Sequence, residues 1–239
     1  MLKLLLTCEH AGNQVPAAYA EYFKGHEELL ASHKGYDIGA LELFNNLKPL
    51  ATKCFYEETT RLLIEQNRSL HHSKLFSGIT RELDDAEKAH IIKAHYLPYR
   101  DQIEQFIHDF VMAGRQVVHV AIHSFTPKFN EEVRDADIGL LYDPKRKPEQ
   151  AFCRIWKQEL QRYDEDLLIR YNYPYLGISD GLTTYLRRKF KANEYIGIEL
   201  EVNQKFPLTD KAKWNQLQEF IKDSLEVTIT QQQPEDVNL

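Results

Sequence analysis

The sequence predicts a single α/β domain built on a mostly parallel sheet, and three observations carry that expectation. Short apolar runs alternate with stretches of helical period, the signature of strand–helix–strand units. The runs at Leu2, Gln116 and Tyr195 are apolar at nearly every position, as strands covered on both faces are. The 239 residues, 1–239 read as one unit, show no repeat, linker or composition break and suffice for one large core.

In chain order, "LKLLLT" is the first strand and a helix follows Tyr36, where Ile38, Leu41 and Phe44 share a side. "TKCFY" and "RLLIE" read as two more strands. From about Thr80 to Gly114 the period is helical, with Pro98 as a kink or break and Gly114 suited to a C-cap. "QVVHVAI" is the next buried strand. "DIGLLYDP" reads as a strand and turn, followed by an amphipathic helix from about Pro148 to Tyr163. "DLLIRYN" is a strand, a helix lies around Leu182 to Phe190, and "YIGIELEV" is the last strand. "KAKWNQLQEFIKDSLEV" is a final helix, and the polar end from about residue 229 reads as a frayed tail.

Composition excludes several classes. Hydrophobic residues at 43% and charged residues at 28% make a globular mixture rather than a disordered one. The net charge of −6 and the lack of a basic block give nucleic acid no footing. No apolar run approaches a membrane span, and "MLKLLLTCEH" turns polar too soon for a signal peptide. Three scattered cysteines, Cys8, Cys54 and Cys153, fit a reducing cytoplasm and supply no CxxC metal motif. The expectation is a cytoplasmic protein with neither nucleic-acid nor membrane partners; oligomeric state is not legible.

Four apolar strands deliver chemistry near their tips. "LLLTCEHAGNQVP" brings Cys8, Glu9, His10 and Asn13; "RLLIEQNRSL" brings Asn67 and Arg68; "AIHSFTP" brings His123 and Ser124; "GIELEVNQ" brings Glu199 and Glu201, two apart and so on one face. A glutamate pair on an apolar strand is costly to bury unless paired or working. Each segment alone reads as a cap or loop tie, but four in one chain weaken that reading. Two histidines at separate strand ends with a carboxylate suit a catalytic zinc, which takes three protein ligands and leaves a position open. A second glutamate then serves as proton acceptor and an arginine steadies an oxyanion.

The ordered set "TCEHAGNQVP", "YDIGA", "TRLLIEQNRS", "HSFTP…VRDADIGLLYDP", "YNYPYLG" and "GIELEVNQ" resembles the N-formylglutamate amidohydrolase family from Leu4 to about Gln204. More distantly, "NR" after an apolar strand, "IHS" at a strand tip and a late strand glutamate resemble the zinc carboxypeptidases and aspartoacylases. The resemblance implies a three-layer α/β/α sandwich of the phosphorylase/hydrolase-like kind and a Zn2+-dependent cleavage of a small anionic N-acyl amino acid. It implies His10 and His123 as metal ligands. Asp37 is the first choice for the third ligand, with Glu9 and Asn13 as alternatives. Asn67 and Arg68 are implied on substrate, Arg68 also on the oxyanion; Arg61 assists, and Arg134 meets a second carboxylate. Glu201 is the preferred general base and Glu199 its rival.

Competing roles stand beside these. Asp37 equally suits a helix N-terminus. Arg61 suits an ion pair with Glu57, Glu58 or Glu65. Tyr175, in a Tyr-rich loop, suits either aromatic packing or, with Asn172, a substrate pocket. His71 and His72 suit a solvated loop better than a second metal.

Overall fold

Leu2–Cys8 (β1), Gln116–Phe125 (β3) and Tyr195–Asn203 (β8) form the middle of a six-stranded sheet in a computed structural model that describes residues 2–232. With Lys53–Tyr56 (β2), Ile138–Leu141 (β6) and Ile169–Tyr171 (β7) the order is β2-β1-β3-β8-β6-β7. Every neighbouring pair is parallel except β6 against β8. A separate hairpin pairs Lys128–Phe129 (β4) with Glu132–Val133 (β5).

Alternation along the central strands sends even-numbered residues to one face and odd-numbered residues to the other. Leu4, Leu6, Val118, Val120, Ile122, Ile196, Ile198, Leu200 and Val202 bury against the helices Ala40–Leu47 (α2), Lys147–Tyr163 (α5) and Lys211–Gln232 (α8). On the opposite face, Leu5, Val117 and Tyr195 pack against Leu97–Met112 (α4) and Leu182–Lys189 (α6). Helices on both sides of a mostly parallel sheet make the expected α/β/α sandwich. A smaller cluster of Tyr19, Phe23, Leu63, Ile64, Leu75, Ile91 and Tyr96 lies under the loops and holds Asp85–Ile91 (α3). The short helices Glu27–Leu30 (α1) and Lys205–Thr209 (α7) complete the set. No helix among the described residues is long and apolar enough to cross a membrane.

Three expectations are corrected. "RLLIE" is a turn segment, not a strand, because Leu63 and Ile64 bury in the loop cluster while Leu63 and Glu65 donate to Thr60 and Leu75 carbonyls instead of a sheet edge. "DLLIRYN" keeps only three residues of strand. The last helix continues through Gln232, past the expected start of the tail, because Thr228 is buried and the Gln231 amide donates to Glu159 Oε1 at 3.0 Å on α5. The remainder of the expected tail, 233–239, lies outside the described residues. The helical stretch between Thr80 and Gly114 divides at a π-turn over Ile92–Tyr96, with Pro98 in the first turn of α4, where its missing N–H costs nothing.

Candidate active site

β1 ends at Cys8, so Glu9 and His10 fall in the turn just beyond its tip. The Asp37 amide donates to His10 O at 3.0 Å and docks the segment before α2 onto that turn. His123 comes from β3, in register with Glu201 on β8. Gly139 faces Glu201 from β6; a Cβ there would lie 1.9 Å from Tyr173 O, so only glycine admits this loop against the sheet.

These elements bring His10, Asp37 and His123 together, all buried, with one candidate ligand atom from each within 4.8 Å of the others. Asp37 Oδ2 lies 3.3 Å from His10 Nδ1 and 3.0 Å from His123 Nδ1. The far nitrogens meet carboxylates too. His10 Nε2 contacts Glu65 Oε1, and His123 Nε2 lies 3.0 Å from Glu9 Oε2, a charge contact without hydrogen-bond alignment. Asn67 Nδ2 stands 3.4 Å from the same nitrogen, but the closer anion governs its proton. Burial opposes charge on His123, but Asp37 and Glu9 outweigh it and hold its imidazole well above the ordinary range, so positive charge is favoured between the two Nδ1 atoms and Asp37 Oδ2. A cation seated there would take the place of an Nδ1 proton and leave each ring its N–H at Nε2, toward Glu65 or Glu9. Ligating histidines commonly donate their other N–H to a carboxylate in this way. The donor set therefore fits a metal ion. Asp37 does not cap α2, whose N-terminus is Gly39.

The surroundings are anionic. Glu9, Asp37, Glu65, Glu199 and Glu201 are all buried. Burial opposes the charge on Asp37, but His10, His123 and Arg61 outweigh it and hold its carboxyl well below the ordinary range. Burial opposes Glu9 as well, yet His123 above all, with Thr7, brings it down to about 2. Glu201 goes the other way. Burial, with Asp37 and Glu199 adding repulsion against the pull of His123 and Arg61, pushes it up to about 8. Its Oε2 is buried and has no hydrogen-bond partner among the described residues. Glu199, two residues earlier, accepts from Thr183 Oγ1 at 2.5 Å.

A cavity of about 580 Å³ opens over this floor. His10, Asp37, His123, Glu199, Glu201, Asn67, Arg68, Arg61 and Tyr175 line it, and so do Lys34 and Lys74 at its mouth. Arg68 is fixed at one corner, Nη1 donating to Asn67 O at 2.8 Å and Asp180 O at 2.7 Å, and its other nitrogens carry no hydrogen bond among the described residues. Asn67 Oδ1 accepts from Leu182 N at 2.7 Å and so caps α6 from a distance. That approach needs Gly181, where a Cβ would sit 2.7 Å from Oδ1.

Arg134 does not line the cavity. It is buried behind Phe129 and Tyr175, its guanidinium 4.7 and 5.1 Å from their rings and donating to Tyr175 Oη at 3.2 Å. Asn13 is also elsewhere, its amide donating to Leu30 O at 3.0 Å. Glu9 stands behind His123, its Oε1 held by Tyr99. Asn172 turns away from the cavity, its Oδ1 accepting from Tyr142 N and Gly177 N. Sequence reading missed the contact of Glu65 with His10, the Thr183 tie and the two rim lysines. Only Arg61 and Glu65, four apart around an apolar run, left a trace.

A family model described as N-formylglutamate amidohydrolase matches residues 2–207. The chain belongs to that family. Among solved structures, gene product Atu2144 from Agrobacterium tumefaciens is similar at 26% identity and a TM-score of 0.77, over 94% of this chain and 91% of that one. An N-formylglutamate amidohydrolase from Ralstonia eutropha JMP134 shares the fold at 17% identity and a TM-score of 0.67, over 96% and 93%. A metallo-carboxypeptidase from Pseudomonas aeruginosa is more remote, at 14% identity and a TM-score of 0.39, over 96% and 57%. No curated protein matches the sequence. Membership of an amidohydrolase family makes the chain an enzyme acting on amide bonds.

Proposed function

We propose that the chain is a zinc amidohydrolase that cleaves the amide bond of N-formyl-glutamate or a similar N-acyl amino acid. One observation carries the reading: a buried glutamate without a partner, Glu201, stands beside a two-histidine, one-carboxylate cluster on the floor of a cavity. Two imidazole nitrogens and one carboxylate oxygen suit zinc. A cation held by His10, Asp37 and His123 supplies Lewis-acid chemistry, acidifying water and polarising a carbonyl.

The remaining work falls to the chain. Glu201, whose buried Oε2 has no hydrogen-bond partner among the described residues, accepts the proton of the attacking water and returns it to the departing amine. Glu199, held by Thr183, keeps its place as the neighbouring charge. Arg68, anchored at Nη1, offers its remaining donors to the substrate carboxylate or to the oxyanion. Lys34 and Lys74 meet a second carboxylate at the mouth, and Arg134 acts on substrate through Tyr175. Free Cys8, Cys54 and Cys153 support a cytoplasmic setting.

A second reading, a deacylase for a larger N-acyl substrate, has one feature in its favour: Phe129, Tyr175 and Leu176 give the mouth an apolar wall, each more than a third exposed. Metal analysis of the purified protein beside a hydrolysis screen of N-acyl amino acids tests both. About one zinc per chain and fastest turnover of an acidic N-formyl substrate are expected. Fastest turnover of neutral or long-chain substrates selects the second reading. Absence of any amide hydrolysis in metal-loaded protein overturns both.

A further inference from the structure

Arg61 spends three of its five N–H donors on two carboxylates of the site. Its Nη1 donates to Asp37 Oδ1 at 3.0 Å, its Nε to Glu65 Oε2 at 2.8 Å, and its Nη2 to the same Glu65 oxygen at 2.5 Å. Glu65 is then fixed at its other end, where Oε1 contacts His10 Nε2 and accepts from Asn67 N at 3.0 Å. One guanidinium thus ties together two groups that face the floor from opposite sides. Asp37 Oδ1 is committed to Arg61, so only Oδ2 faces the imidazoles. With a cation bound, Glu65 Oε1 would accept the Nε2 proton of His10 and leave the Nδ1 lone pair for the metal.

We infer that Arg61 and Glu65 form a brace that determines which cation the site accepts, by allowing Asp37 one ligating oxygen and holding His10 with its Nδ1 lone pair presented. The inference rests on the metal reading of His10, Asp37 and His123. It makes Arg61 a positioning residue rather than a substrate contact, although the side chain borders the cavity and is 26% exposed. A set of two nitrogens and one oxygen favours zinc or cobalt. Harder ions such as Mn2+ and Mg2+ gain from additional carboxylate oxygen, which Asp37 can offer only when Oδ1 is released.

The test measures cation affinity, not turnover. Zn2+ and Mn2+ affinities are obtained by competition with a chromophoric chelator for wild type, Arg61→Met, Arg61→Lys and Glu65→Gln, and the visible absorption of Co2+-loaded protein reports coordination number. Arg61→Met is expected to weaken Zn2+ binding by about 10–100-fold, the usual cost of losing such a partner. Mn2+ binding is expected to weaken less, so the Zn2+/Mn2+ ratio falls, and the Co2+ band to lose intensity as coordination number rises. Arg61→Lys recovers part of the loss. Glu65→Gln weakens Zn2+ by a similar factor, and it decides the matter should Arg61→Met fail to fold by near-UV circular dichroism. Wild-type affinities, selectivity and Co2+ spectrum in both Arg61→Met and Glu65→Gln overturn the brace; a raised KM in Arg61→Met would then assign Arg61 to substrate. Wild-type protein that takes up none of these cations overturns the metal reading itself, which is a different result.

Discussion

The two faces of the sheet come from the same strands yet do different work. On the even face, β1, β3 and β8 contribute Leu4, Leu6, Val118, Val120, Ile122, Ile198 and Leu200, and the helices above answer with Phe44, Trp156, Trp214 and Ile221. On the odd face the apolar residues stop early. Leu5, Val117 and Tyr195 give way to Thr7 and His119, and then to His123, Glu199 and Glu201 toward the strand tips. His119 marks the changeover: Thr7 and Tyr195 each bond it at 2.7 Å, and burial lowers it to about 4, so it sits neutral within the core. The even face contributes apolar burial, at roughly 25 cal/mol per Å². The odd face gives up some of that area for polar groups whose burial is tolerable only when every partner is present. Stability and chemistry are therefore separable here, residue by residue.

The largest effects on activity should come from the polar cluster at the strand tips. His123→Ala and His10→Ala are each expected to empty the metal site and abolish turnover, read by metal content and product formation. Two variants that retain zinc and wild-type turnover would remove the site altogether. Glu201→Gln should retain metal and fold but lower kcat by about 10²–10⁴-fold, whereas Glu199→Gln should lose far less. A reversed ranking of the two would assign the proton transfer to Glu199.

An even-face change should do the opposite. Trp156 is fully buried and donates to Ser224 Oγ at 3.1 Å, so Trp156→Ala should cost about 3–5 kcal/mol in denaturant unfolding, with KM unaltered in the folded fraction. A KM shift there would show that the faces are coupled. Arg134→Ala should raise KM several-fold with little change in kcat, because it supports Tyr175 rather than the reacting atoms; an unchanged KM would leave it a purely structural residue.

The smallest effect concerns pH in chelator-treated protein. The Glu201 carboxyl is raised from its ordinary 4.5 to about 8, so its proton stabilises the fold fully below 4.5 and that contribution is lost as pH rises to about 8. Glu201→Gln carries no such dependence. The variant's melting temperature relative to wild type should therefore climb across that window and level off above it. A constant difference would mean that Glu201 titrates normally.

Much of this was legible in the chain. β1, β3 and β8 are predominantly apolar runs, and the polar residues toward their ends stand out against them. "RLLIE" misled because three apolar residues have no period long enough to separate a strand from a buried turn. Arg134 misled differently: an arginine in a loop beside a site says nothing about whether an aromatic pair will enclose it.

The sequence by itself determined the layers, the strand faces and the residue types at the tips, because alternation and helical period are local properties of the chain. It also put Glu199 and Glu201 on one face, since that follows from a spacing of two. Only the tertiary structure decided which of them is left unpartnered, since Thr183 lies 16 residues from Glu199 and reaches it through α6. It alone decided that Asp37 turns to His10 and His123, that Glu65 takes the far nitrogen of His10, and that Arg61 joins the two. Those contacts span 27, 86, 55 and 24 residues of chain. A buried polar group's role depends on which partners the fold brings within hydrogen-bond reach, and separation along the chain carries no information about that.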